Sequence, residues 1–200
     1  MEGFIVGNIL ETIYDLMLKP RLGFRDITET RSLKQGLLII VFSTIITTLG
    51  MWSGSDFQSK IFLIIIQLFG SLFMWVISAA VFHLIAELLG GSGTVKQLLK
   101  ATAFIAFLQI LLVPVYLLAA FLPSNGAAII GIATFLISIW SIVLDVLAIQ
   151  SVYNVSGAKA TLIFLLPLLV FIGGIMLLFI VAGSFLATAA SNLFLNPPQF

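Results

Sequence analysis

Among the polar side chains inside otherwise apolar stretches of this sequence, four are candidates for passing protons or holding cations: His83, Glu87, Gln109 and Asp145. An ionised group at the centre of a bilayer costs at least ~2.5 kcal/mol on insertion scales, so a retained one is a candidate for function. His83 and Glu87 stand i, i+4 and so share one helix face. Asp145 closes the series Ala127, Gly131, Thr134, Ser138, Ser141, whose alternating spacings of 4 and 3 trace one side of a helix. That side is expected to meet other helices, with Asp145 pointing inward. Two chemistries fit the four residues: an intramembrane proton or cation site, and a set of structural polar anchors.

Other chemistries fail on residue type. With no cysteine there is no thiolate nucleophile or thiolate metal site, and a single histidine excludes the H-E-x-x-H zinc motif. Gly90-Gly91-Ser92-Gly93 matches the G-x-S-G pattern of intramembrane serine proteases, but a nucleophilic serine needs a base within reach. The only histidine lies nine residues upstream, and the run reads as a flexible turn. The chain is therefore read as non-enzymatic, with no metal and no cofactor.

The elements that must position these residues are set by composition. Of the 200 residues, 61% are hydrophobic and 8% charged, against roughly 25% charged in a soluble domain. Five apolar stretches, 36–52, 61–89, 101–122, 127–152 and 160–187, approach or exceed the ~20 residues that cross a hydrocarbon core. Backbone polar groups in lipid must be satisfied within the segment, so each stretch is a helix. Turn residues separate them: Ser53 to Asp56, Gly90 to Gly93, Pro123 to Gly126, and Ser156-Gly157. Pro114 and Pro167 are expected to kink spans three and five.

Charge gives an orientation. Of nine Lys and Arg residues, eight fall before span one, between spans two and three, or between spans four and five; only Lys60 lies on the other side. The positive-inside rule makes this a multi-pass protein of the cell membrane, with a cytoplasmic N-terminus and an outside C-terminus. A net charge of +1 without a basic stripe excludes a nucleic-acid partner.

Residues 3–18 form a further, non-spanning element. Ile5, Ile9, Ile13 and Leu16 follow helical spacing, while Asn8, Glu11, Asp15 and Lys19 gather opposite. Two readings stand: an amphipathic helix in the membrane interface, with Arg21 and Arg25 suited to anionic headgroups, or a cytoplasmic helix packed on the bundle. The fold class is thus an all-α polytopic membrane protein, five transmembrane helices plus a short N-terminal amphipathic interfacial helix. Its organisation is a cytoplasmic region over 1–32, a membrane domain over 33–187 and a non-cytoplasmic tail over 188–200.

Several ordered segments carry a resemblance. Pro20 to Phe24, the run His83 to Thr94, Gln97 to Ala101, and the stretch Trp140 to Gln150 followed by Gly157 to Ala160 are similar to prokaryotic members of the Ypt-interacting-protein (Yip) domain family. The resemblance covers about residues 10–187 and implies five spans with a cytosolic N-terminus. The resemblance implies that eukaryotic relatives associate with Rab-type GTPases and membrane-shaping partners and carry a longer cytosolic N-terminal region, and the family supplies no catalytic residue to transfer.

The resulting expectation is a non-enzymatic membrane-organising or partner-recruiting protein. Its cytoplasmic contact surface would include Arg21, Arg25, Lys96 and Lys100. Its partners are the bilayer, anionic headgroups, and a membrane protein or a second copy. The alternative is a small transporter or channel coupled to protons or cations through Asp145 with Glu87 and His83. Under that alternative Asp145→Asn abolishes a measurable flux in reconstituted vesicles, and equal flux in mutant and parent rules it out.

Overall fold

Long apolar runs closed by Gly, Pro, Ser and Asn dictate helices, and the computed structural model is helical throughout, with no strand among the described residues. It describes residues 2–51, 57–122 and 124–195, with side chains over 9–51, 61–122 and 124–188. The turn at Ser53 to Asp56, Pro123, the side chain of Lys60 and the tail residues Asn196 to Phe200 lie outside these. Five helical segments are long and apolar enough to cross a membrane: Leu33–Gly50, Ile61–Leu88, Val95–Ala120, Gly126–Tyr153 and Gly157–Thr188.

Two compact units divide the chain, Met1–Ile163 and Phe164–Phe200. The first opens with α1 (Glu2–Leu18) and α2 (Pro20–Thr30), where the sequence suggested a single amphipathic helix. Lys19 is the break, and Pro20 starts α2 because a missing N–H costs nothing in a first helical turn. Ile13 and Leu16, on the apolar side of the helix, are buried, as are Phe24 and Ile27 of α2, which favours the packed reading over the interfacial one. α1 and α2 pack on one another, and α2 in turn packs on the third and fourth spans. Gly23 permits this approach: a Cβ there would lie 2.7 Å from the Leu16 backbone nitrogen.

The spans follow as α3 (Leu33–Gly50), α4 (Phe57–Leu88), α5 (Val95–Ile105) with α6 (Leu112–Ala120), α7 (Gly126–Tyr153) and the start of α8 (Gly157–Leu195). Reciprocal capping boxes, Ser32 with Gln35 and Thr94 with Gln97, open α3 and α5. α3 sits between α4 and the third span, touching α5 and α6 in succession. The third span is interrupted by a 3-10 segment, Ala106–Leu111. Pro114 lies just beyond it; with no N–H to offer the Ile110 carbonyl, it disturbs the turn that precedes it. The distortion therefore falls one turn upstream of the proline.

The small-residue side of α7 is buried only toward its end. Leu144 and Ala148 are buried and Asp145 is half-buried, whereas Ala127, Gly131, Thr134 and Ser138 are exposed. A Cβ on Gly131 would meet nothing within 4 Å. Small side chains permit close approach without compelling it, and a spacing pattern names the face but not its partner.

The second unit is the remainder of α8, which stays helical through Leu195, beyond the expected start of the tail. Pro167 lies inside that helix, and the side chains from Leu168 to Thr188 are exposed.

Gly23→Val is expected to lower thermal stability in detergent, since overpacking costs about 1–3 kcal/mol. Gly131→Ala is expected to leave the melting temperature unchanged. Equal behaviour of the two variants in a melting assay would contradict the α1–α2 packing.

Candidate functional site

The basic residues gather at one end of the first unit, where α2, the α4–α5 turn, the end of α7 and the start of α8 meet. Helix ends leave carbonyls without partners, and here side chains supply them. Lys100 Nζ donates to the Thr28 carbonyl at 2.5 Å and to the Arg31 carbonyl at 3.0 Å, capping the end of α2. Its side chain is buried, 8% exposed, so it ties α2 to α5 instead of facing outward. Lys159 Nζ reaches the Leu89 carbonyl at 3.3 Å across the end of α4.

Beside this lock lies a charged network. Thr12 Oγ1 donates to Asp26 Oδ2 at 2.7 Å, Arg31 Nη2 reaches the same oxygen at 3.0 Å, and Thr30 Oγ1 donates to Oδ1 at 2.8 Å. Arg31 Nη2 also donates to Thr12 Oγ1 at 2.6 Å. Burial acts to raise the Asp26 carboxyl, but the hydrogen bonds from Thr12, Thr30 and Arg31 and the guanidinium charge outweigh it, holding Asp26 below its ordinary value of 3.8. The network joins α1, α2 and the approach to α3.

His83 and Glu87 come together as their spacing requires, with His83 Nε2 3.4 Å from Glu87 Oε1. The partner that sequence reading missed is Tyr153, the last residue of α7. Its hydroxyl lies 2.8 Å from His83 Nδ1, and the two rings stack with centroids 5.8 Å apart. The Tyr153 carbonyl accepts from the Ser92 backbone N–H at 3.2 Å. The Gly90 to Gly93 run is thus a close-packing device: Gly90 takes a φ of 81°, and a Cβ on Gly91 would lie 3.0 Å from Tyr153 Cβ. Asn154, also left-handed at φ 53°, ends α7 there. A tyrosine closing an apolar run just before an asparagine was the available signal.

The remaining expected residues are placed elsewhere. Asp145 makes no side-chain hydrogen bond or ion pair among the described residues, and no group of three His, Cys, Asp or Glu side chains there is arranged to hold a metal ion. Gln109 lines a different cavity, between α3, α4 and the 3-10 segment, whose wall includes none of His83, Glu87 or Asp145. Arg21, Arg25 and Lys96 are exposed. The two arginines, with Gln97, Gln150 and Asn154, border a cavity of about 510 Å³ between α2, α5 and the end of α7. Arg25 is only loosely paired with Glu29, at 3.8 Å between two exposed side chains. This arrangement offers guanidinium and amide donors at a surface and no activated nucleophile.

A further surface feature adjoins the arginines. Leu10, Tyr14 and Leu18 of α1 and Leu22 of α2 recur every fourth residue and are 58%, 60%, 62% and 55% exposed. Leu10, Tyr14 and Leu18 form an outward apolar stripe on a flank of α1 that the buried Ile13 and Leu16 do not occupy, and Leu22 lies beyond the Lys19 break, on α2.

The Yip1 domain model matches residues 14–194. No curated protein and no solved structure matches the chain.

Asp26 sets a pH dependence. Its folded value lies below its unfolded one, so its stabilisation is fully present above the unfolded value and is lost as pH falls through the folded value. Melting temperature is expected to fall on acidification below about pH 4. Asp26→Asn is expected to cost about 1 kcal/mol at neutral pH and to flatten that acid limb. An unchanged acid limb in the variant would contradict the role of the network.

Proposed function

The chain belongs to the Yip1-domain family, and from that premise we propose that it organises the membrane or recruits a partner to it, without catalysing a reaction. The observation that carries this reading is the exposed apolar stripe Leu10, Tyr14, Leu18 of α1, together with the exposed Leu22, Arg21 and Arg25 of α2. An apolar stripe flanked by guanidinium groups suits the boundary between headgroups and acyl chains of an anionic leaflet. Lys96 belongs to the same surface, whereas Lys100 serves it from beneath by anchoring α2. Eight basic residues at one end support a cytoplasmic orientation for it and an outside C-terminus, in the cell membrane. The segments Pro20 to Phe24 and His83 to Thr94 support assignment to the prokaryotic branch of the family.

The alternative of proton- or cation-coupled flux through Asp145, Glu87 and His83 has less support. Both ring nitrogens of His83 are engaged, by Tyr153 and by Glu87, and Asp145 belongs to no three-membered group of such residues among those described.

The full chain, reconstituted into vesicles containing anionic lipid, is expected to change vesicle diameter in proportion to its density, as read by electron microscopy. The variant Tyr14→Ser, Leu18→Ser, Arg21→Gln, Arg25→Gln is expected to insert normally and to lose most of that effect. An undiminished effect in the variant contradicts the proposal. So does a parent protein that neither deforms vesicles nor retains any partner from native membranes.

A further inference from the structure

Hydrocarbon supplies no hydrogen bonds, so polar side chains at membrane depth should be paired with one another. Around one cavity they are not. Between α3, α4 and the 3-10 segment lies a space of about 530 Å³. Gln67 of α4 and Gln109 of the 3-10 segment line it and are exposed, and neither amide has a hydrogen-bond partner among the described residues. Two hydroxyls on its α3 wall, Ser43 Oγ and Thr47 Oγ1, are buried and likewise without a partner there; their residues are 2% and 8% exposed. An amide or hydroxyl left unpaired in an apolar medium costs roughly 2–7 kcal/mol, and the residues that carry these four groups all line one space.

The wall is built to present these groups. In a 3-10 helix side chains at i and i+3 eclipse, which puts Ala106 and Gln109 on the same side, and both line the cavity. Ser43 and Thr47 are i, i+4 on α3 and share a face. The floor is fixed: Trp75 Nε1 donates to Thr102 Oγ1 at 3.0 Å, and Thr44 and Ser71 share a hydrogen bond of 3.3 Å.

The lining also states what fits. It contains no Asp, Glu, Lys, Arg or His, so a phosphate or a free ion would meet no countercharge. It does contain Ile40, Met51 and Met74, which offer an apolar surface. The volume lies within the ~300–1,000 Å³ of small-molecule sites. Gln67 and Gln109 belong to the second and third spans. An occupant must therefore bring hydroxyl or ester oxygens, no charge and an apolar body. We infer that this cavity binds an uncharged, hydroxyl-bearing lipid of the diacylglycerol type, held through the exposed amides of Gln67 and Gln109.

Trp75 is the natural reporter, because it lines the cavity and only Trp52 and Trp140 must be removed to isolate it. The full chain carrying Trp52→Phe and Trp140→Phe is reconstituted in phosphatidylcholine vesicles and titrated with brominated diacylglycerol. Quenching of Trp75 is expected to saturate at low mole fraction and to reverse on addition of unbrominated diacylglycerol. Brominated phosphatidylcholine is expected to quench only in proportion to its amount. Gln67→Leu with Gln109→Leu, checked for an unchanged melting temperature, is expected to lose the saturable part at least tenfold in apparent affinity. Quenching that is linear and equal for the two brominated lipids, as for a cavity holding water alone or covered by a second copy, overturns the proposal. Saturable quenching undiminished in the double variant also overturns it. Native mass spectrometry of the unmodified chain with diacylglycerol gives a check that needs no variant: a retained one-to-one adduct supports the site, and its absence beside retained phosphatidylcholine contradicts it.

Discussion

The bilayer's refusal to hydrogen-bond governs this protein. A backbone immersed in hydrocarbon must satisfy itself, and the five span-length helices are the direct consequence. The places where a helix ends are therefore where side chains are most constrained. At the basic end each such place has its own solution. Ser32 and Thr94 cap the starts of α3 and α5, the Lys100 ammonium takes the last carbonyls of α2, and the Ser92 N–H takes the carbonyl of Tyr153. Of the two helices that precede the spans, α2 is held by the Lys100 bonds and α1 by those that join Thr12 to Asp26 and Arg31. The position of α2 follows from the need of helix termini for donors as much as from apolar burial.

One span carries both regions of interest. The third begins at the Thr94 cap, gives Lys100 to the α2 lock, and then gives Thr102, Ala106 and Gln109 to the cavity as its geometry tightens to a 3-10 turn. The polar residues along it thus divide into the bonded Lys100 and Thr102 and, deeper in, Gln109, which has no partner among the described residues. That division separates structure from candidate binding more sharply than residue type does. His83 is bonded to Tyr153 at the end of α7 and lies against Glu87, while Gln67, Gln109 and Asp145 make no such bond among the described residues.

Much of the architecture is legible in the sequence because membrane spans declare themselves by length and hydropathy, and the five segments agree with the helices to within a few residues at most ends. α2 is less legible. Its residues, Pro20 to Thr30, look like a basic linker until Phe24 and Ile27 are seen to be buried against the neighbouring helices. Spacing alone leaves two readings of α1 open, because Ile13 and Leu16 satisfy a periodicity that an interface helix and a packed helix share; their burial favours packing. The small-residue series on α7 identifies one side of the helix but not what covers it. The Tyr153–His83 pair spans seventy residues, and no local pattern carries contacts of that range. Gln109 was identifiable as a polar residue in a span. Its association with Gln67, Ser43 and Thr47 depends on how α3, α4 and the distorted third span pack.

The central claim is that the basic end, with the α1–α2 pair docked on it, faces the cytoplasm and presents the contact surface. The absence of cysteine from the chain makes the decisive measurement simple: single substitutions Ser92→Cys, in the α4–α5 turn, and Ser124→Cys, between α6 and α7, each at an exposed serine. A membrane-impermeant thiol reagent applied to intact cells and to inverted vesicles reads the side directly. The account predicts that Cys at position 92 reacts only in inverted vesicles and Cys at position 124 only in intact cells. The reverse pattern, or labelling of both positions from the same side, would contradict it.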